Sequence, residues 1–494
     1  MVLLPALILG LGLIPAGRLT AQTLTTLHGF TATDPNTGAN TDGANPQAGL
    51  VVSGNILYGT AAAGGSSGNG TVFALNTNGR GFTNLYNFTG GSDGNLPQSV
   101  LILSGSTLYG MATTGGGWGN GTVFALSTNG MGFTNLYSFT AFPVGYFTNS
   151  DGAFPHAGLI LSGNTLYGTA EAGGSSGNGT VFRVNTNGLN FTNLYSFTAT
   201  SGSEGFFGNG TNSDGAEPQA GLILSGNTLY GTTEEGGSGG NGTVFRINTD
   251  GTGFTNLYSF TAFPASYFNS DGSYPSAGVI LSGNALYGTA QYGGSSGNGT
   301  VFKLNTDGTG FTNLYSFGSS PSDGAEPQGG LILSGNTLYG TTEKGGSAFS
   351  GTVFGINTDG TGFTNLYSFT SGNYNSSGII TNSDGALPSA GLILLGNTLY
   401  GTADGGGISG YGTVFSLFFP PQLTIIQNRT NVIVTWPNNV AGFNYSGFTM
   451  QSTTNLVSPV VWTTNFPAPV VINGQNTVTN PISGTQQFFR LSNP

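Results

Sequence analysis

Four residues after the tyrosine of each "LYG" in this 494-residue chain stand, in turn, Ala62, Thr113, Glu171, Glu234, Gln291, Glu343 and Asp404. Four of these are acids. Two carboxylates flanking a glycosidic oxygen can split the bond, one as acid and the other as base or nucleophile, when their spacing suits. A ring of equivalent acids suits a solvated, ligand-facing rim equally well. Glu171, Glu234, Gln291, Glu343 and Asp404 are therefore candidate ligand contacts, and no residue is assigned as catalytic. Composition removes other chemistries. There is no cysteine, hence no thiol nucleophile, disulfide or cysteine zinc site. The two histidines, His28 and His156, belong to no Ser-His-Asp arrangement, and His156 reads as an isolated exposed side chain.

A second periodic set lies sixteen residues before each tyrosine, in "[ST]DGxxP": Asp42, Asp93, Asp151, Asp214, Asp271, Asp323 and Asp384. Aspartate ahead of glycine caps its own turn through a bond to backbone N–H. The alternative is calcium, which takes ~6–8 oxygens and could draw carbonyls from such loops. The EF-hand pattern is absent. The "GGSSGNG" loops precede neither a Lys-Ser/Thr pair nor a helical pattern, so they are not phosphate cradles.

These residues hang on a repeated scaffold. The "LYG" tyrosines are Tyr58, Tyr109, Tyr167, Tyr230, Tyr287, Tyr339 and Tyr400, and each is followed fifteen residues later by the Phe of "GTVF". Seven copies recur every 51 to 63 residues, and all the length variation falls between "LYSF" and "SDG". Each copy parses into four strands. "AGLILSG" reads as an inner strand buried on both faces, "NTLYGT" as the second, "GTVFRIN" as the third and "GFTNLYSF" as the outer one. Asn-Gly and Asp-Gly turns join the last two. Four antiparallel strands per repeat of this length is the signature of a propeller blade. The 89 glycines, well above the usual ~7% of residues, fall at fixed positions, as tight turns require.

The outer strand follows the third only six times. The seventh copy ends at "GTVFSLFFPP", while "TLTTLHGFT" from Thr23 to Thr31 has the outer-strand pattern. The expectation is an all-β chain: a seven-bladed β-propeller over residues 22–419, closed by the N-terminal strand beside Val414, then a small β-sandwich over residues 420–494. Closure would remove exposed sheet edges.

In such blades, the outer-to-inner and second-to-third connections open on one face. Sixteen of the 19 acids fall in those connections, with Lys344 as the single base among them; Asp250, Asp307 and Asp359 occupy turns on the opposite face. The variable loops add Tyr146, Phe147, Phe206 and Tyr267. Aromatic, variable loops on a rigid frame are where binding resides. The expected partner is an extracellular glycan or protein, held without catalysis and with calcium as an optional aid; the alternative is a polysaccharide-acting hydrolase or lyase using rim carboxylates. Net charge is −11 with no basic patch, which argues against nucleic acid.

The words "AGLILSGNTLYGTT", "GGSSGNGTVF" and "TNLYSF" resemble the GloVer (Gloeobacter/Verrucomicrobia-type) tandem repeats of secreted bacterial proteins, over about residues 24–418. The resemblance implies a propeller and export, and no assigned activity. The repeat is also similar to pyrroloquinoline-quinone propeller repeats but lacks their outer-strand tryptophans and any quinone-binding set, so no cofactor is carried over. The C-terminal stretch resembles fibronectin-type-III-like or immunoglobulin-like modules, with Trp436 and Trp462 expected in its core. Residues 1–21 read as a signal peptide ending at Ala21. No later apolar stretch is long enough to span a bilayer, and the expected location is secreted or cell-surface.

Overall fold

The computed structural model describes residues 23–201, 210–263, 269–318, 320, 322–375, 378–428, 430–440, 442–454, 457, 460–464, 466–481 and 487–492. Among them the protein is all-β, without a helix. The repeated region forms seven four-stranded antiparallel sheets. In unit one the strands are Val51–Ser53, Ile56–Ala61, Thr71–Asn76 and Thr83–Asn87, side by side in chain order. Units two to six repeat this order. The seventh sheet combines Ile393–Leu395, Thr398–Ala403 and Thr413–Phe418 with Thr23–Gly29 from the other end of the chain. Thr26 lies opposite Phe415 and His28 opposite Val414, with an irregularity between them. The same register sets Asn84 opposite Phe73 and Tyr86 opposite Val72 in unit one.

The inner strand is shorter than the sequence reading. Only its Ile-Leu-Ser pairs, such as Ile223–Ser225, where Ile223 and Leu224 are half-buried and Ser225 is exposed, rather than buried on both faces. The preceding Ala-Gly-Leu runs along the centre, where neighbouring units meet backbone to backbone. A Cβ on Gly278 would stand 2.5 Å from the Gly221 carbonyl, and one on Gly49 would stand 3.0 Å from that of Gly391. At these two contacts a side chain would have to displace the neighbouring backbone, whereas unit two carries Val100 at the same level.

Between successive sheets lies an apolar cluster, and a further one holds Leu50, Leu57 and Phe73 of unit one against Tyr400 and Val414 of unit seven. Each buried Leu or Phe contributes ~1.5–3 kcal/mol. Aromatic contacts repeat across these interfaces. Tyr86 stacks on Phe133 at 4.0 Å, and Phe88 meets Phe124 edge-on at 5.3 Å. In the first strand His28 takes the tyrosine's place, stacked on Phe82 at 3.7 Å. Hydroxyls tie the centre. The threonine of "LYGT" donates to a backbone carbonyl of the next unit, as Thr169 does to Ala220 at 3.0 Å and Thr232 to Ala277 at 3.0 Å. Unit two has Met111 there, and its backbone N–H instead bonds the Ser99 hydroxyl at 2.7 Å.

After Phe418 the repeat stops. The C-terminal part pairs Thr424–Asn428, Asn431–Pro437, Gln475–Pro481 and Val470–Ile472 in one sheet, and Thr449–Thr453 with Phe488–Ser492 in another. Trp436 is fully buried, as expected from the sequence. Trp462 is not in the core: it is half-buried under Arg490, 4.3 Å from the ring. This part seats on units six and seven through Phe443, which stacks on Phe419 at 4.3 Å, and through Ser334, which donates to the Gly442 carbonyl at 2.9 Å.

Candidate functional site

The variable loops all start from one kind of clamp. The seven "DG" aspartates are buried, and where the sequence reading has them cap the turns they begin, their carboxylates bond instead to residues before them. Each reaches back to the end of the preceding outer strand. Asp151 accepts from Tyr137 Oη at 2.8 Å, Thr140 N at 2.9 Å and the Thr140 hydroxyl. Asp93, Asp214, Asp271 and Asp384 repeat this with Tyr86, Tyr195, Tyr258 and Tyr367. Asp42 does so with His28 Nε2 at 3.0 Å, and Asp323 with Tyr315 Oη at 2.7 Å. Loops of any length can thus be inserted above a constant base. Among the described residues, no three His, Asp or Glu side chains converge to hold a metal. The aspartate oxygens named as calcium candidates are engaged by tyrosine, histidine, threonine and backbone donors.

Above each clamp, the residue before proline has positive φ: Asn45, Leu96, Phe154, Glu217, Tyr274, Glu326 and Leu387, all between 55° and 58°. Non-glycine residues avoid this region, and such strain concentrates at functional sites. The bent backbone aims its carbonyl at the acid ring. Glu217 accepts from the Glu234 N–H at 3.0 Å, Phe154 from that of Glu171 at 3.2 Å, and Leu387 from that of Asp404 at 3.2 Å. The next residue but one, just past the proline, turns to the centre.

That position supplies Gln47, Gln98, His156, Gln219, Ser276, Gln328 and Ser389, which together with Glu343 and Asp404 surround a cavity of about 320 Å³. A volume of about 470 Å³ shares this ring and runs on along Gly49, Val100, Gly158, Gly221, Gly278, Gly330 and Gly391. The amide ring was legible, five residues after each aspartate, yet was not singled out. His156 is not isolated as the sequence reading had it. Its Nε2 lies 2.6 Å from Glu171 Oε2, and Gln219 Nε2 donates to Glu171 Oε1 at 3.3 Å. Gln328 donates to Glu343 Oε2, and Thr113 to Gln98 Oε1 at 3.1 Å.

The sequence-named acids gather around this mouth in two groups. Burial drives Glu234 up to about 8, helped by the charges of Glu217, Glu171 and Glu235. Burial likewise lifts Glu217 to about 7, with Glu235 and Glu171 adding to it. In the other group, burial raises Glu343 and Asp404, and Lys344, paired with Glu326 at 2.9 Å, partly offsets the rise at Glu343. Gln291 is buried and donates to Tyr292 Oη at 3.0 Å. Of the aromatic candidates, Tyr146 and Phe147 are 68% and 77% exposed; Phe206 and Tyr267 lie outside the described residues. Three apolar side chains on the second-to-third loops were missed: Trp118 at 65%, Phe349 at 76% and Ile408 at 88% exposure. Each breaks the "GGSSGNG" wording, which is the signal that could have found them.

No curated protein matches the chain. Among solved structures, a GH74 enzyme from Niastella koreensis is 16% identical, covers 92% of this chain and 72% of its own, and superposes with a TM-score of 0.47. An oligogalacturonate lyase in complex with manganese is 14% identical, covering 81% of this chain and 98% of its own at a TM-score of 0.43. TolB from Acinetobacter baumannii is 14% identical over 59% of this chain and 58% of its own, with a TM-score of 0.33. The model of the Gloeobacter/Verrucomicrobia repeat matches three times, over residues 16–208, 206–415 and 261–457, and the chain belongs to that family.

Proposed function

We propose that this chain is an exported, non-enzymatic glycan-binding protein, built as a seven-bladed propeller whose first strand closes the ring. On this reading residues 1–21 are removed on export and the C-terminal part serves as a fibronectin-III-like or immunoglobulin-like accessory module. The observation that carries the binding role is where the repeat breaks. Buried positions are near-copies in all seven units. The departures cluster on the loop face: acids in the ring, amides and one histidine at the mouth, and exposed Trp118, Tyr146, Phe147 and Phe349. Flat apolar side chains beside paired hydrogen-bonding groups suit a sugar's apolar faces and hydroxyls. A glycan array read with and without calcium tests the proposal. Retention of at least one extracellular polysaccharide, lost on Trp118→Ala, supports it; no retention of any glycan overturns it.

A second reading has its own support. Glu234, raised to about 8, stands in the electrostatic field of Glu171, which is in contact with His156 and hydrogen-bonded to Gln219. Unequal neighbouring carboxylates can divide acid and base roles. Reducing-sugar release from a bound glycan, abolished by Glu234→Gln, would replace the binding role with a hydrolase or lyase.

A further inference from the structure

We infer that the central cavity is a pocket for one neutral, hydroxyl-rich ring, so that a saccharide enters end-on by its terminal residue. This rests on the glycan reading and adds to it a place and a mode of entry. Three features carry it. The first is the hydrogen-bonding character of the mouth. Gln219 and Gln328 are each held by one neighbour, Glu171 and Glu343 respectively, and Gln98 by two, accepting from Thr113 and donating to Gln47. An amide has two donor hydrogens and an acceptor oxygen with two lone pairs, so each keeps capacity for an occupant. Sugar hydroxyls also donate and accept, and adjacent pairs match such prearranged amides.

The second is size and depth. About 320 Å³ lies at the small end of the ~300–1,000 Å³ range of ligand pockets, enough for one or two rings. Below the amides the lining runs along the ring of glycines and their apolar neighbours, and Val100, 37% exposed, stands where the other six units have glycine. The mouth above this level holds only one or two rings, so a chain end fits where a continuous polymer does not. The third is charge. Glu343 and Asp404 stand in the wall, and Glu171 lies behind Gln219. Anionic ends such as uronates meet like charge, which selects against them.

The test titrates the full chain with methyl glycosides of glucose, galactose and mannose and with glucuronate, following the side-chain amide signals of Gln98 and Gln328 by NMR. Those signals are assigned through Gln98→Leu and Gln328→Leu, and either variant suffices should the other not fold. At least one neutral glycoside shifts these signals saturably, glucuronate does not, and each substitution weakens binding about tenfold. Silence of the amides towards every neutral glycoside, equal response to glucuronate, or undiminished binding in both variants overturns the inference. Should polysaccharides bind while no monosaccharide does, end-on entry fails and the glycan reading stands. Should monosaccharides bind while no polysaccharide does, the pocket stands and the glycan reading fails.

Discussion

Thr402 donates its hydroxyl to the carbonyl of Ala48 at 2.9 Å, across 354 positions of the chain. The same bond joins neighbouring units elsewhere, as between Thr341 and Ala390, so unit seven meets unit one as any unit meets the next. The first strand adds its pairing to Val414 and Phe415 at this seam. Deleting residues 22–33 strips that cover and leaves an unpaired edge on the third strand. We expect a loss of roughly 3–5 kcal/mol, read as a lower denaturation midpoint, whereas Thr402→Val removes one hydroxyl bond and costs about 1 kcal/mol. An unchanged midpoint in the deletion variant would contradict closure by this strand.

Glu234 gives a pH-dependent prediction. Burial raises it from 4.5 to about 8, so the folded protein keeps a proton that the unfolded chain releases. Folding stability is therefore lost as pH climbs from about 4.5 through about 8. Glu234→Gln, uncharged at every pH, should match the parent at about pH 5 and exceed it by on the order of 2–4 kcal/mol at about pH 8.5. Melting temperatures at the two pH values decide it, and an equal difference at both would show that Glu234 ionises freely.

Much of the frame was readable because it repeats. Tyr58, Asp42 and Phe73 recur at constant spacing, so one unit's strand assignment is checked by six others. The inner strand was misread because "AGLILSG" is apolar throughout, and composition does not tell a paired strand from backbone packed against the glycines of the next unit. The acid ring was found through its period, whereas the mouth was not. Gln47, Gln98 and Gln219 resemble ordinary surface residues, and only the turn at Asn45, Leu96 and Glu217 directs them to one cavity. His156 reads as isolated for the same reason: its partner Glu171 lies fifteen residues on, past two strands of the same unit, and becomes a neighbour only when the repeat folds.

The aspartate clamp predicts how loops fail. Asp151→Ala leaves Tyr137 Oη and the Thr140 N–H without their acceptor in a half-buried setting. The cost should be about 2–3 kcal/mol. The loop above the clamp carries Tyr146 and Phe147, both exposed, so chymotrypsin should cut it faster in the variant while the cores between other units stay protected. Cutting at the parental rate would mean that the loop is held by something other than its base.

The exposed aromatics separate binding from mere surface chemistry. Trp118, Tyr146 and Phe349 stand on the loop face, whereas Met131 and Leu189 are comparably exposed in turns on the opposite face. If the loop face binds glycan, Trp118→Ala and Tyr146→Ala each weaken binding roughly tenfold or more, as truncation of central aromatic contacts does. Their melting temperatures should stay at the parental value, because neither ring is packed in a core. Leu189→Ala removes a similarly exposed apolar side chain and should leave binding unchanged. Calorimetric titration of the three variants with the retained polysaccharide distinguishes the cases: equal losses from both faces would point to nonspecific adhesion, and a loss confined to Trp118 and Tyr146 places the ligand across the acidic mouth.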